Sequence, residues 1–172
     1  AIKVLLAHGA EVDLPNVFQI TPLMAAAGMS GSSRGGVGSA ITAGRAKKDD
    51  LQERVNSTID LLLDAGANIN ARITDSRTRT AKLVAYIQGR DHEGKTALFS
   101  AAEAGWDKVV KHLLDRGADP TVRDAANKTA LDYARVGPPP GPGTPPKETG
   151  PAAASRAATV AILEALVPKA AV

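Results

Sequence analysis

Apolar residues recur along the chain with the period of an α-helix, in short segments that end at glycine. The clearest segment runs from Trp106 to Arg116, and its apolar side chains share one helical face: Val109, Val110, Leu113 and Leu114. Similar leucine pairs precede Gly9, Gly66 and Gly117. Glycine readily adopts the left-handed backbone that ends a helix. The pattern therefore predicts a series of short amphipathic helices.

Two sequence blocks recur in register. The segments 4–13, 61–70 and 112–121 align with one another over ten residues each, and a Thr-x-Leu block begins at Thr21, Thr96 and Thr129. Thr96 and Thr129 are 33 residues apart. A threonine before an apolar segment is placed to cap a helix, because its hydroxyl can accept from a free amide of the first turn. Each repeat is thus predicted to hold two helices.

These blocks resemble the ankyrin repeat. The stretch 91–105, Asp-His-Glu-Gly-Lys-Thr-Ala-Leu-Phe-Ser-Ala-Ala-Glu-Ala-Gly, continues through Asp124 as a nearly complete copy. The resemblance implies an all-α ankyrin-repeat solenoid, in which helix-turn-helix repeats stack and are joined by inter-repeat turns. We expect about three and a half repeats, interrupted by long insertions.

Glycine spacing places the insertions. Gly9 and Gly66 are 57 residues apart and Gly66 and Gly117 are 51 apart, both well above 33. We expect a single domain, 1–172, composed of a partial first repeat (1–15), a repeat (16–71) with an insertion near 31–56, an insertion (72–90), a regular repeat (91–123), and a last repeat (124–172) with a Pro/Gly-rich insertion near 136–154.

Parts of the insertions have their own patterns. Residues 47–55 could extend the following helix toward Leu63. Residues 81–87 fit either an extra strand pair or a short helix. Residues 157–166 are predicted to form the final second helix.

The chain departs from the family at two kinds of position. The histidine that usually follows Thr-Pro-Leu is Met24, Phe99 or Asp132 here, so its hydrogen bonds are absent or replaced. The glycine of the turn is Gln19 in one copy and Asn127 in another. Asparagine tolerates a positive φ and glutamine does so poorly, so we expect an altered turn near Gln19.

Composition excludes several classes of protein. The net charge is only +3 and basic residues are interspersed with acidic ones, so we expect no nucleic-acid partner. The chain has no cysteine, which excludes disulfides and thiolate metal sites. It has no run of about 18 apolar residues, so we expect no membrane span. We expect a soluble protein of the cytoplasm or of a bacterial periplasm.

Candidate catalytic groups do not converge. The glycine-rich segment 31–38 lacks the Gly-Lys-Ser/Thr ending of a phosphate-binding loop. His8, His92 and His112 occupy different places in the repeats, and no nucleophile motif surrounds a serine. We expect no enzyme activity, no cofactor and no metal.

One basic cluster could attract an acidic partner or form a solvated loop: Arg72, Arg77, Arg79, Lys82 and Arg90, with Tyr86.

The resemblance implies a binding surface, because ankyrin turns and short first helices line a concave face that contacts partners. The matching positions are Val17, Phe18, Ile20, Met29, His92, Glu93, Lys95, Glu103, Trp106 and Lys128. Phe18 would anchor an exposed apolar patch, unless the first insertion covers it. Trp106 is either a binding hot spot or a side chain packed between helices.

We therefore predict a non-catalytic module that binds another protein. The alternative is a structural spacer, a piece of a larger repeat protein without its own partner. The chain opens within a second helix, so we also expect further repeats upstream or self-association through Ile2, Val4 and Leu5.

Overall fold

A computed structural model of the protein describes residues 2–29, 48–74, 93–137 and 151–166. These residues form helices and turns, with no strand among them, which confirms the predicted all-α class. The helices are α1 (Ile2–Ala7), α2 (Pro22–Ala26), α3 (Lys48–Asp64), α4 (Ala97–Glu103), α5 (Asp107–Asp115), α6 (Ala130–Val136) and α7 (Pro151–Leu166).

The helices pack in two rows that follow the order of the chain. In the first row α2 contacts α4 and α4 contacts α6, while in the second row α3 contacts α5 and α5 contacts α7. Each first-row helix also packs on the helix that follows it, giving the pairs α2–α3, α4–α5 and α6–α7. One continuous hydrophobic core therefore lies between the two rows.

The apolar face predicted for α5 forms part of this core. Val109, Val110 and Leu113 are fully buried and Leu114 is half-buried. The extension predicted from residues 47–55 is confirmed, because α3 is continuous from Lys48 to Asp64. The segment 81–87 lies outside the described residues. α7 begins at residue 151, inside the stretch 136–154 assigned to the third insertion, and includes the predicted helix 157–166.

The predicted helix ends are largely confirmed. Gly9, Gly66 and Gly117 have φ values of 82°, 95° and 97°, and the Thr21 hydroxyl accepts from the Met24 amide at 3.3 Å. Thr96 differs, because its side chain makes no capping bond. The amide of the third helical residue instead donates to the Thr96 backbone carbonyl at 3.2 Å. This tighter first turn satisfies the amide without the hydroxyl.

The expectation of an altered turn near Gln19 is wrong. Gln19 has a φ of 61° and Asn127 has a φ of 60°, so both copies adopt the same left-handed conformation. Asn16 stabilises the first of these turns. Its backbone N–H donates to the Ile20 carbonyl, and its side-chain oxygen accepts from Phe18 N and Ile20 N. These bonds impose on Gln19 a conformation that a glutamine rarely adopts.

We predict that Gln19→Gly raises the free energy of unfolding by about 0.5–1 kcal/mol. The left-handed strain costs about 1–2 kcal/mol, and the greater freedom of glycine in the unfolded chain offsets part of the gain. Urea denaturation measures the change, and Asn127→Gly is the matched control with a smaller expected gain. A loss of stability in Gln19→Gly would contradict the strain that we assign to this turn.

Ile73 takes part in the turn that precedes α4. Ile73 N donates to Lys95 O at 3.1 Å and Gly94 N donates to Ile73 O at 2.7 Å. Asn16 and Asp124 make the same two bonds within their own turns. Ile73 therefore occupies the position in this turn that Asn16 and Asp124 occupy in the other two.

Candidate protein-binding surface

Three turns with one hydrogen-bond pattern precede the first-row helices. They are residues 16–20 before α2, Ile73 with 93–95 before α4, and residues 124–128 before α6. Ala125 N donates to Glu93 O at 3.0 Å, which joins the second turn to the third. We call these turns, Leu14 just before the first of them, and the solvent-facing residues of α2, α4 and α6 the turn face.

Four of the predicted contact residues lie beneath the turn face. Ile20, Met29, Lys95 and Trp106 are all at most 5% exposed. The solvent exposure expected for Ile20 and Met29 is therefore wrong. The Trp106 ring packs on Gly28, where an added Cβ would stand 3.2 Å from two ring carbons. Trp106 therefore packs between helices, against the turn that follows α2, which is the alternative that the sequence left open.

The remaining predicted residues lie nearer to solvent. Val17 is 63% exposed, and Phe18 is half-buried and packed against the core. Lys128 is exposed, whereas Glu93 and Glu103 are half-buried. His92 lies outside the described residues.

Sequence reasoning missed one apolar residue of the turn face. Leu14 is 62% exposed and stands three positions before Val17. The only signal was an apolar residue directly before Pro15, in a stretch where the pattern predicted a turn. Leu14 and Val17 together give the first turn an apolar surface.

Lys95 occupies a closed site between α4 and α6. Its Nζ lies 3.9 Å from the centroid of the Tyr133 ring and 3.9 Å from a carboxylate oxygen of Glu103. The Tyr133 hydroxyl donates to Asp124 at 2.6 Å, and its ring meets Phe99 edge to face. A buried lysine is stabilised by such a ring and carboxylate. The cluster fixes the second turn against the third.

Asp132 replaces the family histidine with a capping carboxylate. It accepts from Thr129 N at 2.8 Å, while Asp132 N donates to the Thr129 hydroxyl at 3.4 Å. The backbone hydrogen bond from Thr129 lowers the pKa of Asp132, with smaller contributions from the Thr129 hydroxyl, Arg135 and Arg123. At the other histidine positions Met24 and Phe99 are buried apolar residues.

We predict that this capping box stabilises the protein above the pKa of the unfolded aspartate, about 4, and that the contribution is lost as pH falls. The sign follows from the lowered pKa in the folded state, since the ionised form is the one that folding favours. Urea denaturation of wild type and Asp132→Asn at pH 7 and pH 3 tests this. The two proteins should differ more at pH 7, and an equal difference at both values would contradict the assignment.

Two of the three histidines have described partners. His8 Nδ1 lies 2.8 Å from Val4 O, and His112 Nε2 lies 2.9 Å from Asp60 Oδ1 on the neighbouring second-row helix. Within the described residues, no group of three or more histidine, aspartate or glutamate side chains could hold a metal ion.

α1 carries exposed apolar residues away from the turns. Val4 and Leu5 are exposed, while Ile2 packs partly against the core. Self-association through this helix stays a prediction. Across the described segments, no helix combines the length and the apolar character needed to cross a membrane.

The fold defines an all-α protein built from consecutive helix pairs. The family model for the ankyrin repeat matches residues 93–125, which contain the end of the second turn, α4, α5 and the start of the third turn. This match confirms the resemblance to the ankyrin repeat that the sequence of this segment predicted. Ankyrin repeats are generally protein–protein interaction modules and generally non-catalytic.

Proposed function

We propose that the chain is a non-catalytic protein–protein interaction module, in which the turn face is the concave surface of an ankyrin-repeat solenoid. The packing of α2, α4 and α6 in one row and α3, α5 and α7 in the other supports a stack of about three and a half repeats. Side chains also connect successive layers: Asn70 Nδ2 donates to Gly117 O, and its Oδ1 accepts from Asp119 N.

The observation that carries the proposal is the exposed apolar surface of the first turn. Leu14 and Val17 face solvent, and the turn that contains Val17 is held by four hydrogen bonds of Asn16. A turn that is rigid before binding loses little conformational freedom when a partner orders it. Apolar side chains exposed together on such a turn are typical of an interaction site.

Affinity capture from a lysate of the source organism tests the proposal, with the full chain and two variants as baits. We predict that Val17→Asp lowers capture of a specific partner at least about tenfold, because it places a charge in a desolvated apolar contact. Leu166→Asp is the matched control. It makes the same chemical change at an exposed residue of α7, 51% accessible, and should capture the partner as wild type does.

Equal capture by wild type and Val17→Asp would remove the first turn from the binding surface. Absence of any specific partner for the three baits would favour the structural spacer. Circular dichroism of each bait shows that the variants are folded, so that loss of capture reports on the surface.

A further inference from the structure

Arg72 is held in place beside the second and third turns. Its Nε donates to Gly94 O at 3.2 Å and its Nη2 donates to Arg123 O at 2.5 Å. These two bonds use two of the five N–H groups of the guanidinium, which is planar and presents its donors in a fixed arrangement. An added Cβ on Gly94 would stand 3.2 Å from Arg72 Nη2, so the guanidinium lies close against this glycine.

Two further basic residues lie at the third turn. Arg123 Nη1 donates to Asn127 O at 2.9 Å, and the Lys128 ammonium lies 5.7 Å from the centroid of the Tyr133 ring. Arg72, Arg123 and Lys128 are all exposed. We call them the basic trio.

The surroundings of the basic trio differ from those of four other basic residues. These four pair with carboxylates: Lys108 with Asp49, Lys111 with Asp115, Arg116 with Asp60 and Asp64, and Arg135 with Glu164. In the described part of the chain, no carboxylate lies within ion-pair distance of the basic trio. Its described polar contacts are to backbone carbonyls and to the Tyr133 ring.

We infer that the partner presents an acidic segment whose carboxylates bind Arg72, Arg123 and Lys128. This inference rests on the proposed function and specifies the chemistry of the partner. A guanidinium already fixed on backbone carbonyls can bind a carboxylate through paired N–H donors with little further ordering. Arg123 acts on the Asp132 carboxylate only from beyond ion-pair distance. Three like charges without a described ion pair also favour the approach of negative charge.

A protein partner fits this surface better than a nucleic acid does. The basic trio is a small group of three charges, not the extended basic stripe that a phosphate backbone follows. The exposed apolar residues Leu14 and Val17 also offer nothing to phosphates. An acidic segment with neighbouring apolar side chains complements both features.

Selection of a random dodecapeptide phage library on the full chain provides the probe. We expect the selected peptides to be enriched in aspartate and glutamate. For a fluorescein-labelled selected peptide, we expect the double variant Arg123→Gln/Lys128→Gln to raise Kd at least about tenfold, and higher salt to weaken binding to wild type. The matched control is Lys3→Gln/Lys111→Gln, which removes the same charge from exposed positions on α1 and α5 and should leave Kd unchanged. Melting curves verify that all variants are folded.

Several outcomes would overturn the inference. Selected peptides without acidic enrichment, or with equal Kd for wild type and the Arg123→Gln/Lys128→Gln variant, would reject it. If such peptides still lose binding to Val17→Asp, the proposed function survives and only the acidic partner fails. If no peptide binds, both fail. If a labelled 20-nucleotide single-stranded DNA displaces the peptide and loses its own binding in the double variant, the basic trio is a nucleic-acid site instead.

Discussion

Replacing Trp106 by alanine is expected to lower the free energy of unfolding by about 3–5 kcal/mol, as large aromatic truncations in cores do. Trp106 is 3% exposed and its ring fills the space above Gly28, in the turn after α2. The truncation would leave a cavity between the helix pairs α2–α3 and α4–α5, which bury surface against each other. Urea denaturation followed by far-ultraviolet circular dichroism measures the loss.

Two variants show whether packing is the cause. Trp106→Phe keeps an aromatic ring and should lose less stability than Trp106→Ala. Gly28→Ala should also be destabilising, because its Cβ would stand 3.2 Å from the ring and because Gly28 has a φ of 99°. If Trp106→Ala changed partner binding while stability stayed the same, Trp106 would be a contact residue and its placement in the core would be contradicted.

Arg156→Ala is expected to lower the free energy of unfolding by about 2–4 kcal/mol. The Arg156 Nη1 donates to Glu103 O at 3.2 Å and to Ala134 O at 3.1 Å, so one side chain of α7 binds carbonyls at the ends of α4 and α6. Hydrogen bonds to a charged group contribute about 1.5–3 kcal/mol each, and carbonyls at a helix end lack partners within the helix. Added Cβ atoms on Gly105 and Gly137 would meet this side chain, at 3.4 Å and 2.7 Å.

The measurement is the urea midpoint of Arg156→Ala against Arg156→Lys and Arg135→Ala. Arg156→Lys keeps the charge but loses the planar group, so we expect an intermediate loss. Arg135 forms an exposed ion pair with Glu164 at 2.7 Å, and its removal should cost about 1 kcal/mol or less. Equal, small losses for the two alanine variants would show that Arg156 does not hold the two helix ends.

The helices were predictable because their signals are local. The apolar face of α5 and the glycines at 9, 66 and 117 depend on residues within one or two helical turns, and the structure places them as the sequence indicated. The turn at Gln19 was predicted wrongly because a residue preference was weighed without the Asn16 side chain. That side chain accepts two amide hydrogen bonds within the turn and overrides the preference.

Contacts between helices that are far apart in the sequence were not predictable. The fully buried Gln52 of α3 accepts from Lys108 N at the start of α5, where Trp106 has no side-chain oxygen with which to cap the helix. The two residues are 56 positions apart, so no local pattern connects them. Arg156 is similar, since its role depends on where α7 packs against α4 and α6.

The candidate surface was predictable in part, because the sequence alignment locates the turns but not the packing around them. Alignment with the ankyrin turn identified Val17 as an exposed turn residue, because turn position follows from the repeat. It did not distinguish Ile20 and Lys95, which stand one residue before the threonine at the start of a helix and are buried. Burial at such a position depends on the neighbouring helices, which the alignment does not describe.

Hydrogen–deuterium exchange of the protein with and without its captured partner is the most direct test of the proposed binding surface. We expect the partner to slow exchange in residues 14–20, which contain the first turn, and in residues 123–128, which contain the third turn, and to leave the exposed sides of α3, α5 and α7 unchanged. Slowed exchange confined to α3, α5 and α7, with both turns unchanged, would place the partner on the opposite side of the protein and contradict the proposal.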